Sequence, residues 1–386
     1  MPPITRRTCL QRGALALAAH SLSALWSPAS ASADEAPAAE VTEAEDATLS
    51  EIAGKFRQEF SAPGLSIAVT LHGRFVYQKA FGFADTDRHE YLTPSHLFRI
   101  ASVSKPLTST CLFTLIEQGK LGLNHHVFGP QGLLQSDFGK SYSDNINEIT
   151  VYHLLTHTAG GWEKGRGDPM FESPSLSQKE LIERTLSTIP LKYAPGQHFG
   201  YSNFGYCILG RVIEKLSGRS YPDTVQQQVL SKCGVTGMRI AGNTLAQRAK
   251  GEVIYYGENS YGMNVSRMDS HGGWMATPSD MVRFALRVDD FDNPPDILRH
   301  DTLKTMITPS VANPNYACGW AVNRAHNWWH NGSLPGLSSI LVRTSTGLCW
   351  AAFTNTRTKD IDPALDRLVW DMVKAVPAWR NAGPRA

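Results

Sequence analysis

Apolar residues at both ends of the chain follow strand-like spacing, and the stretch between follows helical spacing. Over Thr48–Phe60, Ile52, Phe56 and Phe60 fall on one stripe; Thr48 stands at a capping position and Glu51 at the matching box position. That pattern predicts a helix. Leu65–Leu71 and Phe75–Phe83 are β-like runs, and His72-Gly73 between them predicts a hairpin. From about Thr93 to Ala241 the spacing turns helical, with segments such as Lys105–Gln118 and Gln178–Thr188 punctuated by proline and glycine. Trp328–Gly332, Leu337–Val342 and Leu348–Phe353 are again apolar runs joined by turn residues, and Pro363–Ala375 predicts a closing helix. The whole predicts an α/β (α+β) fold. An antiparallel sheet is built from both ends of the chain (about 48–95 and 270–376) and flanked by N- and C-terminal helices. A mainly helical part, about 96–269, is inserted between. A cleft between two such parts is a usual place for a site.

The first 33 residues do not join this pattern. Arg6 and Arg7 precede a short apolar run, Gly13 to Leu25, too short for a stable membrane span, and Ala31-Ser32-Ala33 has the small residues of a cleavage site. Thr5-Arg6-Arg7-Thr8-Cys9-Leu10 is similar to a twin-arginine export signal; an ordinary secretory signal is the alternative. Either implies a periplasmic or secreted protein. Residues 34–47, acidic and alanine-rich, read as a solvated linker, so the catalytic domain is expected over 48–376, with 377–386 a tail.

Composition narrows the function. The 386 residues carry a formal net charge of +2, which gives no basic footprint for nucleic acid. The 42% hydrophobic content excludes a wholly disordered chain. No later segment has about 18 consecutive apolar residues, so no stable membrane insertion is expected after signal removal. Five cysteines remain beyond the signal, mostly in apolar surroundings; they read as packed thiols and leave room for one disulfide without identifying the pair.

The chemistry starts at Ser102-Val103-Ser104-Lys105. A spacing of three puts Ser102 and Lys105 on one helical face. A serine hydroxyl is a poor nucleophile until a neighbour takes its proton, and a lysine in a dry cleft can serve. Alone, this spacing is weak. Tyr201-Ser202-Asn203 adds a phenol for proton transfer and an amide for substrate hydrogen bonding. His330-Asn331-Gly332-Ser333 lies on a predicted strand, where glycine would let a substrate backbone approach.

These three elements, in this order, resemble the serine β-lactamase and penicillin-binding protein superfamily. The branch indicated holds class C β-lactamases, R61-type D-alanyl-D-alanine carboxypeptidases and related esterases. Phe98-Arg99-Ile100-Ala101 before the serine, His153–Gly161, and Gly272-Gly273-Trp274 followed by Thr277-Pro278-Ser279-Asp280 extend the resemblance over about residues 48 to 376. It implies a β-lactamase/transpeptidase-like fold and an enzyme that forms an acyl-enzyme on Ser102. Lys105 and Tyr201 would share the acid/base work. Asn203, His330, Gly332 and Ser333 would hold substrate, with the backbone N–H groups of Ser102 and Ser333 as the oxyanion hole. The implied partner is a small-molecule or peptide substrate, with no cofactor and no metal. Substrates would be β-lactams, D-alanyl peptides or esters, and His330 in place of a lysine favours peptidase or esterase over true β-lactamase. A catalytically weak penicillin-binding or peptidoglycan-sensing protein is the alternative.

Three other patterns carry less weight. Ser143-Asp144-Asn145 spells a class A β-lactamase motif, but it lies in a polar stretch too close to Ser102 for this branch. His153 and His157 have the spacing of a zinc helix, yet Leu154 stands where a metalloprotease places its glutamate, so structural hydrogen bonds near the site are expected of them. The aromatics of the Tyr255–Ser270 loop, Tyr255, Tyr256 and Tyr261, fit either an acyl pocket or surface packing.

Overall fold

A computed structural model describes residues 41–382, apart from 136, 140, 141, 143 and 164–166. The expected export signal and Ser143 lie outside the described residues. Strands β1 (Gly64–Leu71), β2 (Arg74–Asp85), β3 (Glu90–Tyr91), β4 (Phe98–Arg99), β5 (Arg239–Ile240), β6 (Trp274–Ala276), β7 (Ala321–Val322), β8 (Trp328–Leu334), β9 (Leu337–Arg343) and β10 (Leu348–Thr354) form two sheets. The larger is antiparallel in the order β3-β2-β1-β10-β9-β8-β7, and β4-β6-β5 make a small second sheet. Strand β10 pairs with β1, Leu65 opposite Thr354, so the two ends of the chain close one sheet.

Strands β1, β9 and β10 are buried along their full length, because each sheet face is covered. One face carries helices α1 (Glu43–Glu59) and, from the far end of the chain, Ile361–Ala375; Phe56, Ile67, Trp350, Leu365 and Trp379 belong to that core. The other face joins a larger core that runs through α2 (Ser104–Glu117) and α3 (Asn203–Ser217). The C-terminal helix Ile361–Ala375 is α4 below. This is the expected architecture: an antiparallel sheet between terminal helices, with a mainly helical insertion.

Two boundaries differ from the expectation. The first helix starts at Glu43 instead of Thr48, because Thr42 and Glu45 form the capping box. Glu43, Glu45 and Asp46 load its first turn, where the helix dipole favours negative charge. The acidic stretch that read as linker is therefore partly helix. At the other end, Pro377–Arg380 is a short helix and Trp379 is buried against Tyr77, so those residues pack instead of trailing as a tail.

The five described cysteines are buried, and no disulfide joins them. Burial pushes the thiols of Cys111, Cys207, Cys233 and Cys318 up to about 12, so they behave as small apolar groups. No helix among the described residues is long and apolar enough to cross a membrane.

The cap position is open to test by denaturation. Thr42→Ala should cost about 0.5–2 kcal/mol through loss of the box. Thr48→Ala, at a mid-helix residue whose hydroxyl only bonds back to Ala44 O, should stay within about 0.5 kcal/mol of wild type. The reverse order would contradict a helix start at Thr42.

Candidate active site

The nucleophile region is built where the backbone is strained. Ala101 has φ +45, a left-handed conformation unusual for alanine, directly before Ser102. A single 3-10 turn, Ala101–Val103, then leads into α2. Ser102 thus stands at a helix start, where unpaired N–H groups and the dipole favour developing negative charge.

Lys105, one turn later, is fully buried. Its Nζ lies 3.0 Å from Ser102 Oγ, 2.7 Å from Asn203 Oδ1 and 3.1 Å from the His271 carbonyl oxygen. An ammonium has three donors, and these are three acceptors. As a neutral amine the same nitrogen keeps two donors for Asn203 and His271 and turns its lone pair to the Ser102 hydroxyl. The geometry therefore suits both sides of a proton transfer from Ser102. The Nζ also sits 4.7 Å from the Tyr201 ring centre, so the aromatic face stabilises the charged form.

Asn203 opens α3, and its orientation is fixed from behind. Because lysine only donates, Oδ1 faces Lys105; Nδ2 then donates to Asp168 Oδ2 at 2.8 Å. Asp168 is buried, and burial raises its pKa while hydrogen bonds from Met170 and Asn203 pull it back. Both ends of the Asn203 amide are thus engaged inside the protein. Asn203, expected to hold substrate, is buried beside Lys105 and is not among the residues that line the cleft.

That wall is formed by Ser102, Tyr201, Tyr316, Ala321, His330, Asn331 and Ser333, around about 280 Å³ of space. Burial pushes the Tyr201 phenol far up, and a hydrogen bond with Ser102 works against that rise. Tyr201 is therefore a neutral phenol at ordinary pH and can donate its proton.

Tyr316, which no local motif marks, is the hub of a directional chain. The Ser202 N–H donates to His157 Nδ1 at 3.1 Å. Burial holds the His157 ring neutral, well below the usual imidazole range, so its proton lies on Nε2 and goes to Tyr316 Oη at 3.1 Å. Tyr316 then donates to His330 Nε2, also at 3.1 Å. The His330 Nδ1–H finishes on the Asn331 carbonyl, 2.7 Å away. Burial first, and then the Lys105 charge, push His330 down to about 3. His330 is thus neutral, with its one donor already used. It lines the cleft as expected but offers a substrate carboxylate neither charge nor a free N–H. His157 makes the structural bonds expected of it, and His153 Nδ1 accepts from the Thr150 N–H at the start of its helix.

Strand β8 sets the opposite wall. Pro335-Gly336 is a two-residue loop closing Leu334 on Leu337. Paired residues alternate between hydrogen-bonded and open positions, so Ser333 and Asn331 turn their N–H groups to the free edge. That is the direction an oxyanion donor needs. Beyond Trp329 no strand of the described sheet covers this edge. Two expectations change here. A Cβ on Gly332 would lie 2.3 Å from the Ile100 carbonyl oxygen and 2.4 Å from Ser339 Oγ, so its glycine is needed for β8 to pack on the nucleophile turn. The Ser333 hydroxyl donates to Asp362 Oδ2 at 2.9 Å, away from the cleft.

The Tyr255–Ser270 loop is packing. Tyr255 and Tyr261 stack on the buried Arg99, and Tyr256 Oη bonds Thr86.

The buried neutral histidines give stability a pH dependence. In the unfolded chain His330 takes a proton near 6.5; in the folded chain it resists to about 3. Stability is then full above pH 6.5 and falls as pH drops, by about 2 kcal/mol from this residue between pH 7 and 5. Thermal melts should show that decline, and His330→Gln should lessen it, with His157 and His271 supplying what remains. An equal slope in the variant would contradict a neutral buried ring.

Comparison with known proteins agrees with this geometry. The beta-lactamase family profile matches residues 49–374. Protein flp of Staphylococcus aureus (strain MRSA252) is 26% identical over 305 residues, 74% of this chain and 58% of that protein. Penicillin-binding protein 4* of Bacillus subtilis (strain 168) is 26% identical over 310 residues, 70% of this chain and 63% of that protein. The chain thus spans about three-fifths of the length of these curated relatives. Among solved structures, D-amino acid amidase from Ochrobactrum anthropi SV3, complexed with L-phenylalanine amide, superposes with TM-score 0.70 at 21% identity, covering 88% of this chain and 100% of that one. EstCE1, a hydrolase with promiscuous acyltransferase activity, superposes with TM-score 0.68 at 20% identity, covering 86% and 99%. With its sequence matched to the family over residues 49–374, the chain belongs to the beta-lactamase family.

Proposed function

We propose that this protein is an exported serine acyl hydrolase that works through an acyl-enzyme on Ser102 and acts on esters and amides, D-peptides among them, in preference to β-lactams. The observation that carries the reading is the Lys105 nitrogen, 3.0 Å from the Ser102 hydroxyl and pinned on its far side by Asn203 and His271. Lys105 accepts the hydroxyl proton as Ser102 attacks the carbonyl carbon. The N–H groups of Ser102 and Ser333 take the oxyanion. Tyr201 protonates the leaving alcohol or amine. Water then attacks the acyl-enzyme, and the Lys105–Tyr201 pair takes up its proton. The fold likeness to an amidase and to a hydrolase with acyltransferase activity supports acyl transfer. The neutral His330 argues against a site built around a carboxylate-bearing β-lactam.

A panel of p-nitrophenyl acetate, D-Ala-D-Ala peptides and nitrocefin tests this. The expected result is multiple turnover of ester or peptide with a higher kcat/KM than for nitrocefin, and a loss of at least about a thousandfold in Ser102→Ala. A single stoichiometric burst on every substrate, or preferred nitrocefin turnover, would contradict it.

Export rests on the N-terminal sequence. The mature protein should begin at Asp34 by N-terminal sequencing, and Arg6→Lys with Arg7→Lys should keep it inside the cell. Unchanged export of that double variant would point to the ordinary secretory route.

A further inference from the structure

Asp168 is a buried carboxylate outside the cleft wall, joined to the site through one amide. Its Oδ1 caps the 3-10 turn Pro169–Phe171 by accepting from the Met170 N–H at 3.1 Å. Its Oδ2 accepts twice from Asn203, from Nδ2 at 2.8 Å and from the backbone N–H at 3.3 Å. These three partners are all N–H donors. That set suits a carboxylate anion, whereas a protonated carboxyl would have its own O–H to place. Burial raises the Asp168 carboxyl, and the bonds from Met170 and Asn203, then the Lys105 charge, lower it.

The loop that carries Asp168 is pinned from behind. Arg267 is buried, and its guanidinium donates to the carbonyl oxygens of Met170, Glu172, Ser173 and Leu176. Further along the same segment, the His271 carbonyl accepts from Lys105. One stretch of chain therefore holds both the loop with the carboxylate and the lysine.

Between the two charges lies the Asn203 amide. Its Oδ1, the negative end of the amide dipole, meets Lys105 Nζ at 2.7 Å, and Nδ2, the positive end, meets Asp168. Ammonium, amide and carboxylate are thus aligned head to tail in a buried setting, where such alignment counts for more than in water. The rings around Lys105 carry no charge. Burial keeps His157, His271 and His330 neutral. Tyr201 and Tyr206, with ring centres 4.7 and 5.5 Å from Nζ, are phenols that burial pushes far up.

We propose that Asp168 is a positioning residue for acyl transfer: acting through Asn203, it is the counter-charge that stabilises Lys105 once the lysine has taken the Ser102 proton. This rests on the acyl-transfer reading. As Ser102 Oγ bonds the carbonyl carbon, its O–H bond breaks and the proton joins Nζ. Negative charge passes to the carbonyl oxygen and positive charge appears on Nζ, at the end of the amide that Asp168 orients. The carboxylate behind the histidine of a Ser-His-Asp triad plays the same part for an imidazolium.

The pH profile of p-nitrophenyl acetate hydrolysis tests this, and its leaving phenolate needs no proton from Tyr201. Asp168→Asn keeps an oxygen for Asn203 and removes the charge. Its plateau kcat/KM should fall at least about tenfold, because the base it leaves is weaker. Its acid limb should move at least about one pH unit to lower pH, because without the anion the amine loses its proton more readily. Circular dichroism at each pH checks that the variant is folded. Should it fail to fold, Asp168→Ser, uncharged and still an acceptor, is read in the same way. A lowered plateau with the limb unmoved would make Asp168 a structural support only and overturn the assignment. An unchanged plateau, or a limb moved to higher pH, would overturn it as well. If the wild type shows no ester turnover, the acyl-transfer reading itself fails and the role of Asp168 falls with it.

Discussion

The site depends on one buried nitrogen. Lys105 Nζ is held by acceptors from three places far apart in sequence: Ser102 on its own helix, Asn203 at the start of α3, and the His271 carbonyl before β6. A buried cation is expensive unless its hydrogen bonds are met, and here three donors meet three acceptors. The requirement works in both directions. The large core around α2 and α3 has to bring those segments together, and once together they leave Lys105 a single task, exchange of a proton with Ser102. Asp168 extends the arrangement by fixing which end of the Asn203 amide faces the lysine.

A second constraint comes from the His157–Tyr316–His330 chain. Each member's donor or acceptor role follows from its neighbour, beginning at the Ser202 N–H and ending at the Asn331 carbonyl. The chain braces the Tyr201–Ser202–Asn203 segment against β8, so the two walls of the cleft are tied by side chains as well as by backbone. It also leaves His330 without charge or free donor. The side of the cleft where a basic residue would draw in a carboxylate is therefore neutral.

Much of this was legible in the sequence, for identifiable reasons. Ser102 and Lys105 are three apart on one helix, so a local spacing reports a real contact. Tyr201 and His330 stand in short motifs of the family, and the structure places both on the cleft wall. Tyr316 and Asp168 were not legible. Each reaches the site through a contact made only by the fold, from an irregular loop or a helix start, and neither stands in a motif. The internal partners of Asn203, Gly332 and the Ser333 hydroxyl were not legible for the same reason: the residue types suit holding substrate, and their bonds and close contacts to protein groups are made only by the fold. The helix start was misplaced because acidic residues suit both a solvated linker and a helix's first turn; only the Thr42–Glu45 bonds decide between them.

The most direct test of the account is the site and rate of acylation. Quenched reactions with a p-nitrophenyl ester, digested and read by mass spectrometry, should place the acyl group on the peptide bearing Ser102 and on Ser102 itself. In Lys105→Ala the same adduct should form at least about a hundredfold more slowly, as expected for loss of a positioned base. An adduct on another residue, or an undiminished rate without Lys105, would contradict the claim that this buried nitrogen activates the serine.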